Sequence, residues 1–347
     1  VPSADEADFA VVRLKPDGFP DLTFSGDGRM TFSVADDDLQ DVAVEPNGSI
    51  VAAGQSDQNG LAVFRITPAG RLDHEFSGDG KAGDSSVDTG AAVAVQSDGR
   101  VVVAGDLFGT DTFAVDRFTA KGALDATFDH DGKRVIAMPG PNNPRVNDVA
   151  VDSHGRIVVA TSTGNAGDSD IDVIRLLPNG AFDHSFSGDG KVALDFGTDD
   201  RDPFLAIQSN DEIVVGSDFT VPGDDGEMGL VRIAADGNLD TTFAGDGRRI
   251  VNPSSDREEL GGLALQPNRA IVLTGESGSS GDTKLFVLRI GAGGKPDLSF
   301  GGGEVLLNPA SGTDGSGGVA VGGSRILVGG TADDGSTRAF YAARLFE

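Results

Sequence analysis

The phrase Phe9-Ala-Val-Val-Arg13-Leu14 recurs along the whole chain, and its repetition decides the fold. Each copy is an apolar, strand-like run that contains one arginine, and we call these copies the arginine strands. The seven arginines are Arg13, Arg65, Arg117, Arg175, Arg232, Arg289 and Arg344. Successive arginines are separated by 52, 52, 58, 57, 57 and 55 residues. A repeat of this length predicts a solenoid, a propeller or an array, built from small units that stack because none can bury a core alone.

A second repeated phrase predicts a hairpin at the centre of each repeat. Its first copy runs from Asp41 to Gly54, with two apolar segments on either side of Asn47-Gly48. Asn-Gly between apolar runs is the strongest local signal for a β-hairpin. The later copies cover residues 93–105, 149–160, 205–216, 263–275 and 319–330. Their apolar content is continuous, which is typical of strands buried on both faces.

A third phrase follows each arginine strand and completes the repeat. Its first copy is Asp21-Leu-Thr-Phe24-Ser-Gly-Asp27-Gly28, and a short, more polar outer strand comes next, such as 133–136 in the third copy. Four antiparallel strands per repeat, without a helix, are typical of a propeller blade. We therefore predict an all-β protein, a β-propeller with six four-stranded blades, with seven blades as the alternative. As one domain, 1–347, it would have blades at about 41–90, 91–147, 148–203, 204–261, 262–317, and 318–347 joined with 9–34.

The two ends of the chain supply the last blade in this prediction. Residues after 318 provide a hairpin and an arginine strand but no outer strand, whereas residues 9–34 provide an arginine strand and an outer strand. Joining them closes the propeller within one chain. The alternative is that the strand 9–14 remains an unpaired edge and joins another copy of the chain, because unpaired backbone groups recruit further strands.

Three residue types recur at fixed places and are predicted to hold the repeats together. The ring of Phe24 and its copies is expected to pack between neighbouring blades. Asp21 and its copies are expected to accept backbone N–H groups at a turn. The repeated arginine is expected to pair with that aspartate or with a carboxylate of the next blade. A charge that recurs once per blade indicates a structural role.

The combination of these phrases resembles the delta-60 repeat family. The resemblance extends from Phe9 to Leu345 and rests on the fixed order of the hairpin, arginine and Phe-Ser-Gly-Asp-Gly phrases. It departs at Gly302, where the other copies have aspartate. The resemblance implies β-propeller-like repeats of a kind found in large bacterial proteins, many of them exported. The family carries no assigned catalytic residues, so it transfers none to this chain.

Charge and composition restrict the partners of the protein. The chain has 55 acidic and 27 basic residues and a net charge of −28. Such a surface repels nucleic acid and anionic lipid, so we predict no nucleic-acid binding and no membrane insertion.

Cysteine is absent, which removes disulfide and thiol chemistry and fits an exported protein. Residues 1–8 do not resemble a signal peptide. We expect an extracellular or cell-surface location.

The histidines and serines do not form a catalytic motif in the sequence. The four histidines each replace another residue of the repeat, and they are His74, His130, His154 and His184. Ser277 lies in a sequence one residue short of a nucleophile elbow, and no helix follows it. The loop 291–296 has a proline where a phosphate-binding loop needs Ser or Thr.

Carboxylates are the remaining candidates for chemistry. Asp168, Asp170 and Asp172 have the alternating spacing of a calcium loop, but they lack its glycine and its distal glutamate. They are the predicted metal ligands, and calcium is the one cofactor considered, stabilising the fold without being required for it. Other acidic runs lie at 36–38, 199–202, 224–225 and 333–334, and solvated acidic turns explain all of these clusters equally well.

These observations favour an exported, non-enzymatic binding or surface-structural module. A ligand, either a protein or a polysaccharide, would bind at variable loops such as 138–144 and 218–224. One alternative is a carboxylate-dependent hydrolase or lyase acting on polysaccharide. Another is a subunit of an extracellular assembly joined by exchange of the terminal strand.

Overall fold

A computed structural model describes the protein at residues 9–32, 38–56, 60–138, 144–165, 168–197, 199–220, 226–252, 257–279, 282–309, 312–322, 325–333, 336 and 338–346. These residues form 25 β-strands and no helix. Six blade sheets are present within the described ranges, rather than seven. The predicted all-β propeller is therefore confirmed. No helix within the described ranges is long and apolar enough to cross a membrane.

Two strands of each repeat come from the predicted central hairpin. The first strands are β3 (Asp38–Val44), β7 (Thr89–Val95), β11 (Arg145–Val151), β15 (Asp199–Ile207), β19 (Glu258–Leu265) and β23 (Asp314–Gly322). The second strands are β4 (Ile50–Ser56), β8 (Val101–Asp106), β12 (Ile157–Asn165), β16 (Ile213–Thr220), β20 (Ile271–Ser279) and β24 (Arg325–Asp333). All six predicted hairpins are therefore confirmed.

The other two strands of each repeat are the arginine strand and the outer strand. The arginine strands are β1 (Phe9–Val12), β5 (Gly60–Ile66), β9 (Thr112–Phe118), β13 (Asp168–Leu176), β17 (Glu227–Ile233), β21 (Asp282–Ile290) and β25 (Arg338–Phe346). The outer strands are β2 (Arg29–Phe32), β6 (Lys81–Asp84), β10 (Lys133–Ala137), β14 (Lys191–Leu194), β18 (Arg248–Val251) and β22 (Glu304–Leu307).

Strand order within each sheet follows the chain. Among the described residues, five sheets have four strands, in the orders β3-β4-β5-β6, β7-β8-β9-β10, β11-β12-β13-β14, β15-β16-β17-β18 and β19-β20-β21-β22. The sheet β23-β24-β25 has three strands, and β1 pairs with β2, so that Phe9 lies opposite Phe32. The predicted joining of the two ends of the chain into one blade stays a prediction.

A β-bulge in the first strand explains a glycine that recurs at the end of the second strand. In the first blade sheet the register shifts between Leu39 and Asp41. The backbone there approaches Gly54 so closely that a Cβ atom on Gly54 would lie 1.9 Å from the carbonyl oxygen of Asp38. Gly105 has the same relationship to the carbonyl of Thr89, at 2.1 Å. Only glycine fits at these positions.

The chain divides into two compact units, residues 1–165 with 174–183 and residues 166–173 with 184–347. Each has its own apolar core. In the first unit Phe76 is fully buried among valines such as Val63 and Val103, which belong to two successive sheets. In the second unit Phe243 is buried with Leu230 and Leu273, again from successive sheets. The predicted packing of the repeated phenylalanine between blades is confirmed.

The repeated arginine links each repeat to the next within the first unit. Arg65 Nε donates to Asp73 Oδ2 at 2.7 Å, and its guanidinium lies over the ring of Phe76. Arg65 Nη1 donates to the carbonyl oxygen of Ala120, in the turn of the following repeat, at 2.6 Å. The backbone N–H of Ser77 donates to Lys121 in the same turn at 2.7 Å. We call this set of contacts the clasp.

Copies of the clasp occur in both units. In the first, Arg13 and Arg117 donate to Asp21 and Asp125, and each also donates to a carbonyl of the next repeat. In the second, Arg232 donates to Asp240 and to the carbonyl of Ala292. The predicted pairing of arginine with the turn aspartate is confirmed. The aspartates also accept a backbone N–H two residues later, as predicted.

Candidate functional site

A cavity of about 820 Å³ lies in the first unit, where two hairpin turns and one loop turn meet. Its volume is in the range of sites for small ligands. It is lined by Val95, Gln96, Ser97, Asp98, Arg100, Arg117, Thr127, Val151, Asp152, Ser153, His154, Gly155, Pro178 and Asn179. Most of these side chains are polar, and three are apolar aliphatic or proline residues.

The two hairpin turns form the cavity because each tightens around a glycine in the left-handed region. Gly99 has φ of 81° and Gly155 has φ of 74°. The backbone N–H of Gln96 donates to the carbonyl of Arg100 at 2.8 Å and closes the first turn. Gln96 Nε2 then reaches the carbonyl of Gly155 at 3.4 Å, which ties the first turn to the second.

One wall of the cavity carries two arginines that share one carboxylate. Arg100 Nε and Arg117 Nε donate to Asp125 Oδ2 at 2.8 and 2.9 Å. Burial raises the pKa of Asp125, but the hydrogen bonds from Thr127 and the two guanidinium groups outweigh burial and hold this pKa below its usual value. Arg100 also pairs with Asp98. The charges of this wall are therefore compensated.

The opposite wall is the turn that contains His154. Asp152 accepts the backbone N–H groups of His154 and Arg156, each at 2.9 Å, and pairs with the Arg156 guanidinium. His154 Nδ1 lies 3.1 Å from Ser153 Oγ. The neighbouring carboxylate of Asp152 is bonded to the Arg156 guanidinium and to backbone N–H groups. Within the first unit, this wall carries hydrogen-bonding groups, and its carboxylate is paired with a guanidinium.

The predicted calcium ligands lie on the arginine strand β13, in the second unit. Only Asp170 of the three joins other carboxylates there. One oxygen each of Asp170, Asp195 and Asp200 lies within 4.8 Å of the other two. Asp168 and Asp172 are not part of that group, because alternate residues on one face of a strand are about 7 Å apart. Asp195 follows β14 and Asp200 lies on β15.

Asp200 is the buried member of this acidic group. Its side chain is 0% exposed, and Oδ2 accepts the backbone N–H of Phe196 at 2.8 Å. Oδ1 is buried and has no hydrogen-bond partner. Burial, together with the charges of Asp195, Asp170 and Asp199, raises the pKa of Asp200 to about 6. Burial and neighbouring carboxylates also raise the pKa of Asp170.

A pair of neighbouring carboxyl groups, Asp116 and Asp84, lies in the first unit. Asp116, on β9, is 0% exposed, and neither of its oxygens accepts a hydrogen bond from the described residues. Burial and the charge of Asp84 raise the pKa of Asp116 to about 8, against the opposing charge of Lys133. Lys133 Nζ instead donates to Asp84 at 2.7 Å. Because Asp116 is enclosed, a substrate has no access to it.

The remaining predicted candidates lie apart from these groups or outside the described residues. His74 and His184 lie in equivalent loops, where Nδ1 of each donates to a backbone carbonyl oxygen, that of Gly78 and that of Gly188. Positions 139–143 and 221–224 of the variable loops lie outside the described residues, as do 36–37, 224–225 and 334 of the acidic runs. The sequence analysis did not predict the cavity, because the sequences of its two hairpin turns indicated only that the chain turns there.

A model of a β-propeller domain of unknown function, DUF5122, matches the chain in five successive segments. The matched residues are 3–24, 45–76, 96–128, 154–186 and 208–243. These matched segments support a β-propeller repeat family. These segments include the hairpin turns, the arginine strands and the phenylalanine turns described above. No curated protein matches the chain significantly.

Solved structures of several β-proteins are similar to this one in fold. A protein of unknown function from Dyadobacter fermentans has a TM-score of 0.52 at 12% identity, with 100% of each chain covered. An ulvan lyase of polysaccharide lyase family 25 has a TM-score of 0.51 at 10% identity, covering 87% of this chain and 82% of that one. Hydrazine synthase of Kuenenia stuttgartiensis has 0.51 at 15% identity, covering 84% and 75%. At these identities the likeness shows the fold alone.

Proposed function

We propose that this protein is a non-catalytic binding module, and that its cavity in the first unit binds a neutral, hydroxyl-rich ligand such as an oligosaccharide. The observation that carries the proposal is the compensated charge of the cavity walls. Arg100 and Arg117 are bonded to Asp125, and Asp152 is bonded to Arg156. A ligand therefore meets hydrogen-bonding groups rather than an uncompensated charge.

The overall charge supports a neutral ligand over an anionic one. A net charge of −28 repels polyanions at long range. Sugar hydroxyl groups both donate and accept, so they match a lining that contains serine, asparagine and imidazole side chains. Val95, Val151 and Pro178 provide apolar surface for the carbon face of a sugar ring.

A hydrolase or lyase acting on polysaccharide is the second candidate. The lyases that share the fold resemble this chain at about one residue in ten, so their substrate does not carry over. Such an enzyme needs ionisable groups that reach the substrate. Asp116, whose pKa burial raises to about 8, is fully enclosed. The arginines Arg13, Arg65, Arg117 and Arg232 and their turn aspartates are engaged in the clasp. These points favour binding over catalysis.

Three finer assignments belong to the same proposal. The order of the repeated phrases supports the delta-60 repeat family. The absence of cysteine supports an extracellular or cell-surface location. Self-association through the terminal strand is a further proposal, and the mass of the purified protein in solution tests it.

A single introduced tryptophan tests binding at the cavity, since the chain has none. Ser97 is exposed, lines the cavity and makes no hydrogen bond through its side chain. We expect the tryptophan emission of Ser97→Trp to change saturably with neutral cello- or malto-oligosaccharides, and not with oligogalacturonate. Phe108 is 55% exposed in the same unit and is not among the residues that line the cavity, so Phe108→Trp is the control. An equal response of both variants, or a response to the polyanion alone, would contradict the proposal.

A further inference from the structure

The acidic group of Asp170, Asp195 and Asp200 in the second unit has the geometry of a cation site. The ligand oxygens of the three lie within 4.8 Å of one another. Calcium binds oxygen at about 2.4 Å, so two oxygens on opposite sides of one ion are separated by about 4.8 Å. One ion can therefore contact all three carboxylates.

Asp200 gives the second, independent observation. It is 0% exposed, and its Oδ2 is held by the Phe196 N–H at 2.8 Å. Its Oδ1 is buried without a hydrogen-bond donor. An unsatisfied buried carboxylate oxygen costs free energy, and a bound cation removes that cost.

Among the described residues, no lysine or arginine side chain donates a hydrogen bond to these three carboxylates. Apart from the Phe196 amide, the part of the chain that the structure describes places no hydrogen-bond donor on any of the three carboxylates. The guanidinium of Arg248 donates instead to the backbone carbonyl of Asp195 and lies over the Phe196 ring. Three carboxylates this close together repel one another unless a proton or a cation is bound.

The loop that carries Asp195 is held in place before any ion binds. Phe196 stacks on Phe219 with ring centroids 5.6 Å apart. A Cβ atom on Gly197 would lie 2.3 Å from the carbonyl oxygen of Thr220, so glycine is needed for this close approach. These contacts fix the backbone on either side of the ligands, and fixed ligands bind an ion with less loss of conformational freedom.

We propose that Asp170, Asp195 and Asp200 form a binding site for a hard divalent cation, calcium in preference to magnesium. Carboxylate oxygens are the ligands that calcium prefers, and its flexible coordination accepts three carboxylates completed by water. Magnesium demands a stricter octahedral arrangement. The ion would link β13 and β15 through the loop between β14 and β15. This proposal is independent of the saccharide site.

Calorimetric titration of the full chain with calcium chloride, after treatment with EDTA, tests the site. We expect one calcium ion per chain in the wild type, bound more tightly than magnesium. Asp170→Asn and Asp200→Asn should each weaken calcium binding by about tenfold or more. Asp168→Asn is the matched control, because Asp168 lies on the same strand outside the group, and its affinity should stay close to that of the wild type.

The melting temperature gives a second measurement that separates a cation from a proton. Calcium should raise the melting temperature of the wild type and of Asp168→Asn, but not that of Asp200→Asn. In EDTA, Asp200→Asn should melt no lower than the wild type, because the amide removes one of three repelling charges. If Asp200→Asn does not fold, Asp170→Asn, at an exposed position, carries the test. No saturable calcium binding in the wild type, tighter binding of magnesium, or equal weakening by Asp168→Asn and Asp170→Asn would overturn the proposal.

Discussion

The guanidinium of Arg65 donates a 2.6 Å hydrogen bond to the carbonyl oxygen of Ala120, which lies one repeat further along the chain. The same side chain is held by Asp73 at 2.7 Å and covers the ring of Phe76. One residue therefore joins a turn, an apolar core and the following repeat. This arrangement explains why arginine recurs once per repeat in a chain with few basic residues.

Replacing Arg65 with lysine should destabilise the protein by about 2 kcal/mol, because an ammonium group cannot hold both the carboxylate and the next repeat's carbonyl. Urea unfolding followed by circular dichroism measures the change. Arg71→Lys is the control, since the Arg71 side chain is exposed. Equal stability of the two variants would show that the clasp contributes nothing.

Removal of the Phe76 ring should lower the free energy of unfolding by more than Arg65→Lys does. Phe76 is 0% exposed, and Phe76→Ala leaves a cavity between two sheets, so we expect a loss of about 3–5 kcal/mol. Phe19 is 67% exposed, and Phe19→Ala should change the free energy of unfolding by less than about 0.5 kcal/mol. Both values come from denaturant unfolding. An equally small change in the free energy of unfolding for Phe76→Ala and Phe19→Ala would contradict the packing of the Phe76 ring in the core between the sheets.

Two glycines of the same turn should respond differently to alanine. Gly78 and Gly80 both have positive φ, 88° and 87°. A Cβ atom on Gly78 meets open space, whereas one on Gly80 would lie 2.8 Å from Leu72 Cβ and 3.0 Å from the Asp73 nitrogen. Gly78→Ala should lower stability by about 1 kcal/mol through backbone strain alone. Gly80→Ala should lower stability by more than Gly78→Ala does, and the melting temperatures of the two variants measure the difference. The reverse order would contradict the turn geometry.

The buried carboxyl of Asp116 should make stability depend on pH. Burial raises its pKa from 3.8 to about 8 in the folded state. The folded protein then binds one more proton than the unfolded chain between about pH 4 and pH 8, so stability falls as pH rises through this range, by up to about 1.4 kcal/mol per pH unit. Relative to Asp116→Asn, the wild type should lose stability between pH 5 and pH 8.

Asp116→Leu provides a second uncharged variant, because Leu288 occupies the equivalent position of another arginine strand. Urea unfolding at several pH values should give the same flattened profile for both variants. Profiles of wild type and variants that run parallel across this range would contradict the raised pKa.

Most of the fold follows from the sequence because the same physical requirement recurs in every repeat. Asn47-Gly48 and its copies mark hairpins, and the apolar runs beside them became the paired strands β3 and β4 and their equivalents. The pairing of Arg13 with Asp21 was predictable because both recur at a fixed spacing of eight residues.

The candidate sites were less accessible to sequence reasoning because they join residues distant in the chain. Asp168, Asp170 and Asp172 are close in the sequence, but they lie on one extended strand, which spaces alternate residues about 7 Å apart. Asp195 and Asp200 reach Asp170 only through the pairing and stacking of strands. The cavity likewise combines turns near Ser97 and His154, each of which looks in sequence like an ordinary hairpin turn.

Native mass spectrometry of the protein with a neutral oligosaccharide of defined length tests the central claim most directly, since it reports binding, stoichiometry and cleavage together. We predict a complex of one chain with one intact oligosaccharide. The appearance of shortened or unsaturated saccharide products, or the absence of any complex with the wild type, would contradict a non-catalytic saccharide-binding function.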